Sequence, residues 1–341
     1  MTYRKTKKYA ATITAAALLC GSLTAASIGS AVNVSAETTG SSAAVSSSSN
    51  AESEIYEDFS DGGHAIEADG TEETYSGISV NKTGEAEGDK ADFYGENAAV
   101  FATNGASLTI EDAAVNTEGT HANGIFSYGE GTVVKISDSE IETSGNCSGG
   151  LMVTGGGTLE AENLTIHTTG NSSAAIRSDR GGGTETVTGG SYTTEGTGSP
   201  VIYSTADVTV TDAAMTSTAS QGVVVEGKNS VTLQNVTLTA DNNTKNSDKS
   251  DTYQAVMIYQ SMSGDAAEGE ASFSMEGGSL INKNGDIFFV NNTIAAENLA
   301  ASIGSSVKSF TSLILTVSNS LRGSKLFEYL KLPLPLEARR L

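Results

Sequence analysis

The stretch AAVFATNGASLTIEDAAVNTEGTHANGIFSYGEGTVVKISDSEIETSG, residues 98–145, carries one pattern twice. Val100 is answered by Ile125, Leu108-Thr109-Ile110 by Val134-Lys135-Ile136, and Val115-Asn116-Thr117 by Ile141-Glu142-Thr143. In such short alternating runs every second side chain lies on one face, which is the signature of strands rather than helices. A unit this small cannot bury its apolar face alone, so successive copies must stack.

Working outward, the first strand of each copy aligns on Val100, Ile125, Leu151, Ile176, Val201, Val223, Val256 and Ile287. A second column continues in Val208-Thr209-Val210 and Val231-Thr232-Leu233. A third runs through Val115, Ile141, Ile166, Tyr192, Met215 and Leu238. Two residues beyond the third-column anchors stand Thr117, Thr143, Thr168, Thr194 and Ser217, predicted to point inward as a ladder. Two further on come Gly119, Gly145, Gly170, Gly196 and Ala219, where a corner calls for positive φ. Three strands per coil of about 25 residues, rising in one direction with right-handed crossovers, describe an all-β, right-handed, single-stranded parallel β-helix.

The chain has 341 residues with 38 Gly, 3 Pro and no Trp, a composition of short strands and tight turns. Its net charge is −22, and residues 37–297 alone hold 9 basic and 39 acidic side chains. Such a body repels nucleic acid and anionic membrane surfaces, and an acidic polysaccharide would need a bridging divalent cation. Residues 1–36 read as a signal peptide: Arg4, Lys5, Lys7 and Lys8, then an apolar run, then the small-residue site Val34-Ser35-Ala36. The expectation is a secreted or cell-surface monomer. After cleavage only Cys147 remains, so no intramolecular disulfide is expected. Residues 37–54 form a Ser-rich flexible linker, and 55–297 the β-helix, with 55–81 as its N-terminal cap. Residues 298–341 carry 6 basic and 2 acidic side chains plus Pro333 and Pro335. This basic tail reads either as a helical cap or as the foreign end of a truncated or frame-shifted gene.

If the first-column anchors point in, their neighbours Phe101, Phe126, Met152, Arg177, Ile202, Val224, Met257 and Phe288 point out. Two places on lie Thr103, Tyr128, Thr154, Asp179, Ser204, Glu226, Tyr259 and Val290. This face is either a carbohydrate-contacting groove or a surface beneath the polar insertion at 241–252. The candidate ligand-binding residues are Phe101, Phe126, Tyr128, Arg177, Asp179, Arg180, Tyr203, Glu226, Lys228 and Tyr259. Arg177 and Arg180 are the only arginines between residues 37 and 297, and their forked donors suit a sugar carboxylate. Asp179 and Glu226 are the candidate calcium ligands. The alternatives are an Arg–Asp pair that stitches adjacent coils, and a solvated Glu226–Lys228 surface pair.

Catalytic templates find little support. The repeats contain neither an Asp-Asp pair nor Asn-Thr-Asp, which weighs against a glycosidase, and His64, His121 and His167 fall in separate coils without zinc spacing. A polyuronate lyase stays open, with Arg177, Arg180 or Lys228 as the base.

Four stretches carry a family resemblance: Ala174-Ala175-Ile176-Arg177-Ser178-Asp179-Arg180-Gly181-Gly182-Gly183, Gly198-Ser199-Pro200-Val201-Ile202-Tyr203-Ser204-Thr205-Ala206-Asp207, Val225-Glu226-Gly227-Lys228-Asn229-Ser230-Val231 and Ile258-Tyr259-Gln260-Ser261-Met262-Ser263-Gly264-Asp265. Through them the chain resembles exported right-handed β-helix surface proteins of Gram-positive bacteria, adhesin-like or carbohydrate-binding, with a pectate-lyase-like fold. The resemblance implies an extracellular, non-catalytic protein whose partner is a polysaccharide or cell-wall glycan. The first alternative is a calcium-dependent lyase acting on polyuronate, and the second a structural or host-protein adhesin.

Overall fold

A computed structural model describes residues 53–243, 253–260, 266, 267, 269, 271–291, 300–303, 308–309 and 313–317. The expected signal peptide and all but the last two residues of the expected linker lie outside the described residues, as does most of the 241–252 insertion.

The chain is a right-handed parallel β-helix. Among the described residues three sheets of ten, ten and nine strands run along it, and every strand but the last of each sheet in chain order pairs in parallel with its counterpart one coil away. The first sheet takes Val100–Thr103, Ile125–Tyr128, Leu151–Thr154 and Ile176–Ser178 in succession. The third sheet reproduces the sequence register, with Val115, Ile141, Ile166, Tyr192, Met215 and Leu238 opposite one another. These six are fully buried, because their faces meet the inner faces of the other two sheets.

The inward ladder of Thr117, Thr143, Thr168, Thr194 and Ser217 is buried as the alternation demands. Three of its hydroxyls bond locally: Thr143 donates to the Ser148 carbonyl at 2.7 Å, Thr168 to Ser173 and Thr194 to Ser199 at 2.6 Å, whereas that of Thr117 finds no partner among the described residues. Those serines form a second ladder, each donating to the carbonyl of a glycine one coil back, as in Ser148 to Gly119 (2.8 Å) and Ser173 to Gly145 (3.0 Å).

The glycine corner exists for a different reason from the one the sequence suggests. Gly119, Gly145, Gly170 and Gly196 do not have positive φ. A Cβ at Gly145 would stand 1.9 Å from the Gly119 carbonyl oxygen, and one at Gly170 1.8 Å from that of Gly145. Close stacking of backbone on backbone, not a left-handed turn, demands glycine here. The left-handed residues of this corner are His121, Cys147 and Ser172, two places past the glycines, and a further set, Asp112, Asp138, Asn163, Asp212 and Asn235, precedes the third sheet. Their short polar side chains tolerate this region and bond along the stack, as Asn235 does to Asp212 at 3.0 Å.

Both ends differ from expectation. Residues 55–81 are not a separate cap, because Glu54–Asp58, Ile66–Asp69, Glu72–Ser76 and Ile78–Lys82 already pair in parallel with the coils above them. Lys82 ends the threonine ladder fully buried, where its ammonium pairs with Asp58 at 3.2 Å and donates to the Ser60 carbonyl at 2.6 Å. In the expected basic tail the described segments are strands rather than a helix. Ala300–Ile303, Lys308–Ser309 and Leu313–Val317 each close one sheet in antiparallel pairing.

One core position breaks the apolar rule. Along the second sheet the inward column reads Leu159, Glu185, Val208, Val231 and Phe273. Glu185 is fully buried, and among the described residues neither carboxyl oxygen makes a hydrogen bond of full geometry.

Candidate functional site

Strand register decides which side chains share the outer face of the first sheet. Ile176 stands opposite Ile202, not Val201, and Val256 opposite Phe288, not Ile287. The turn through Gly181, Gly182 and Gly183 holds one more residue than its neighbour, so an alignment on a constant repeat slips there. Ile202 therefore packs in the core, and Tyr203 takes the outward place beside Arg177. Phe289 likewise replaces Phe288, which is also in the core.

The outer face has two halves. In the first, Phe101, Phe126 and Met152 form a buried cluster with Tyr128 against it. Their cover is the segment 83–97, containing the short helix α1 (Asp89–Phe93); most of the 241–252 insertion, the expected cover, lies outside the described residues. Gly95 passes so close that a Cβ there would stand 2.3 Å from the Phe101 ring, and Tyr94 meets Tyr128 edge-on at 5.7 Å. Thr154 donates to the Phe93 carbonyl at 2.6 Å. Arg180 clamps the helix from outside, its guanidinium 3.8 Å from the Phe93 ring centroid and 3.3 Å from Asp89. Phe126 has no accessible surface, so neither it nor Phe101, at 8%, offers a ring to a sugar. Because the Arg180–Asp89 pair is solvent-screened, the cation–π contact carries most of the clamp. Arg180→Ala is expected to weaken the cover by about 1 kcal/mol, seen as faster amide exchange over residues 89–95 with the coils unaffected.

The second half brings together five of the sequence candidates. Arg177 donates to Asp179 at 3.0 Å and to the Cys147 carbonyl at 3.4 Å. Burial would loosen its proton, but Asp179 and Cys147 outweigh that and hold the guanidinium above its ordinary pKa. It is no base for abstracting a carbon-bound proton. Asp179 also accepts the Arg180 amide at 3.0 Å. Arg177 and Asp179 are two residues apart in the chain, so their bond fixes one turn rather than stitching two coils.

Two strands further along the sheet lies Glu226, only 1% exposed. Its Oε2 accepts the Tyr203 hydroxyl at 2.5 Å and the Tyr259 hydroxyl at 2.6 Å, from the strands on either side. Burial, followed by the neighbouring Tyr259, Glu226 and Asp179, pushes Tyr203 well above its usual pKa. Tyr259 is shifted the same way by burial and then Glu226. Both phenols therefore keep the protons they donate. Oε1 of Glu226 is buried and has no partner among the described residues. Val224, Met257 and Phe289 pack beneath the two half-buried rings.

Lys228 does not pair with Glu226. Its stem lies against Gly269, and its amide donates to the Ala267 carbonyl at 2.7 Å. Asp179 and Glu226, the expected calcium ligands, supply few oxygens between them. Calcium takes six to eight oxygens, whereas Asp179 is engaged by Arg177 and Arg180, and Glu226 offers one unengaged oxygen. Among the described residues no group of three or more His, Cys, Asp or Glu could hold a metal ion.

A neighbouring pair, His121 and Asp92, 3.3 Å apart, had no signal in the sequence. Burial lowers the His121 pKa, and Arg177 adds to the effect against the pull of Asp92. Asp92 lies on α1, in a segment outside the repeat, which is why alignment of coils could not find it. The family model described as "Right handed beta helix region" matches residues 76–239, which spans the coils that carry Arg177, Asp179, Tyr203 and Glu226. No curated protein and no solved structure matches the chain. Among the described residues, no helix is long and apolar enough to cross a membrane.

Proposed function

We propose that this β-helix is an exported, surface-located, non-catalytic carbohydrate-binding protein that engages a glycan on the outer face of its first sheet. The observation that carries the reading is the Tyr203–Glu226–Tyr259 cluster: two half-buried rings, held by one carboxylate, beside a fixed Arg177–Asp179 pair. Rings locked by hydrogen bonds present flat apolar faces with little entropy left to lose, and an unengaged carboxylate oxygen supplies a directional acceptor. The surrounding acidic body favours neutral or basic glycans over polyuronate. Arg177, committed to Asp179, supports binding rather than lyase chemistry.

A glycan array, run with calcium and with a chelator, tests the reading. Retention of at least one polysaccharide is expected, unchanged by chelation. Tyr203→Ala and Tyr259→Ala should each weaken it by about tenfold, the loss typical of a truncated aromatic contact. Retention of no glycan would remove the proposal, and would favour a passive stalk or an adhesin for host protein.

A further inference from the structure

Resting on that carbohydrate-binding reading, we infer that the Glu226 site selects a cationic sugar, with Glu226 Oε1 receiving the ammonium group of a glucosamine-type residue beside the Tyr203 and Tyr259 rings. The argument begins with an imbalance. Each phenol has one proton, and both protons are spent on Oε2. Both contacts are as short as hydrogen bonds to carboxylates are. Oε1 is left buried, with no donor among the described residues. A buried acceptor in that condition carries the full cost of its lost hydration.

No cation in the described residues answers it. Arg177 is bonded to Asp179, and the Lys228 stem runs along Gly269. A ligand that fits must therefore bring a donor, and one that is itself positive removes the charge imbalance as well. The rings add attraction of the same sign, since an aromatic face favours a cation and disfavours an anion. A uronate carboxylate would place a second negative group against Glu226, and an N-acetyl group would offer an N–H but no charge. Tyr203 and Tyr259 are only partly buried and flank Glu226 on either side, so a ligand approaching that carboxylate meets both rings.

The test is calorimetric titration of the whole protein with three oligosaccharides of equal length: a glucosamine oligomer, its fully N-acetylated counterpart and an oligogalacturonate. The glucosamine oligomer is expected to bind at least about tenfold more tightly than the other two at a pH where its amines are protonated, and to lose that advantage as they deprotonate. Glu226→Gln keeps the shape of the side chain and removes its charge, so it should weaken glucosamine binding by about tenfold or more. Should that variant fail to fold, the pH dependence of the unaltered protein still decides. Equal binding of acetylated and deacetylated sugar, preference for the galacturonate, or indifference to Glu226→Gln would each overturn the inference while leaving carbohydrate binding in place. No binding of any of the three, together with an empty glycan array, would remove both.

Discussion

Glu185→Val is expected to stabilise the folded chain by about 1–4 kcal/mol at neutral pH, the range found when buried charged or polar groups give way to apolar ones. Glu185 occupies a place where neighbouring coils carry Leu159 and Val208, and among the described residues neither of its oxygens makes a hydrogen bond of full geometry. Burial drives its pKa well above the usual carboxylate range, and the Val153 backbone opposes this only in part. The sign of the pH dependence follows. Between the unfolded pKa, about 4.3, and the raised folded value, the native state binds a proton that the unfolded chain has released. Stability therefore falls as pH rises through that window, by up to about 1.4 kcal/mol per pH unit. Below it the group is protonated in both states and the penalty is smallest. Denaturant midpoints of the unaltered protein, Glu185→Val and Glu185→Gln between pH 4 and 8 check this. The difference between parent and either variant should grow with pH, and a constant difference would show that Glu185 titrates normally.

Glu185 also marks where the sequence stops being legible. Columns of the repeat are found by looking for apolar residues, and the coil that carries Glu185 shows none at that place. The third column was readable throughout because the corner after it has a nearly constant shape, set by Thr, Ser and Gly in fixed order. The first column was misread at two places, at Val201 after the Arg180–Gly183 turn with its one extra residue and again at Ile287, while Val223 and Val256 between them kept their register. The first slip hid Tyr203 from the outward column, although its chemistry had already singled it out. Glu226 and Tyr259 kept their predicted faces, yet their meeting at one oxygen depends on side-chain direction across three strands. The cover over Phe101 and Phe126 was beyond reach for another reason: segment 83–97 belongs to no repeat, so nothing in the periodicity says where it lies. Fold and register come from local pattern, whereas the site comes from what neighbouring coils bring together.

Gly145→Ala should abolish stable folding of the central coils. The added Cβ would stand 1.9 Å from the Gly119 carbonyl oxygen and 2.9 Å from Ser148 Oγ, the two atoms that bond to each other at 2.8 Å. Neither can retreat cheaply. The carbonyl is backbone in a stacked corner, and Ser148 Oγ also sits over the amide ladder through the Ser148 amide's own bond to Ser173 at 3.0 Å. Relief requires spreading the coils, which breaks parallel pairing in all three sheets at that level, because each coil is a single turn of chain. A cost of more than about 4 kcal/mol is expected, the range reserved for overpacking that the structure cannot absorb. Since stability in a solenoid is passed between nearest neighbours, the damage should centre on residues 119–170 and fall off along the axis. Ala219 is the natural control: it occupies the same column place, where the turn into the next coil is shorter, and the chain accepts its methyl group. Circular dichroism, melting and hydrogen exchange of Gly145→Ala beside Ala219→Gly test the argument. A Gly145→Ala protein that melts within a few degrees of its parent would mean that the glycine stack is not what sets the spacing of the coils.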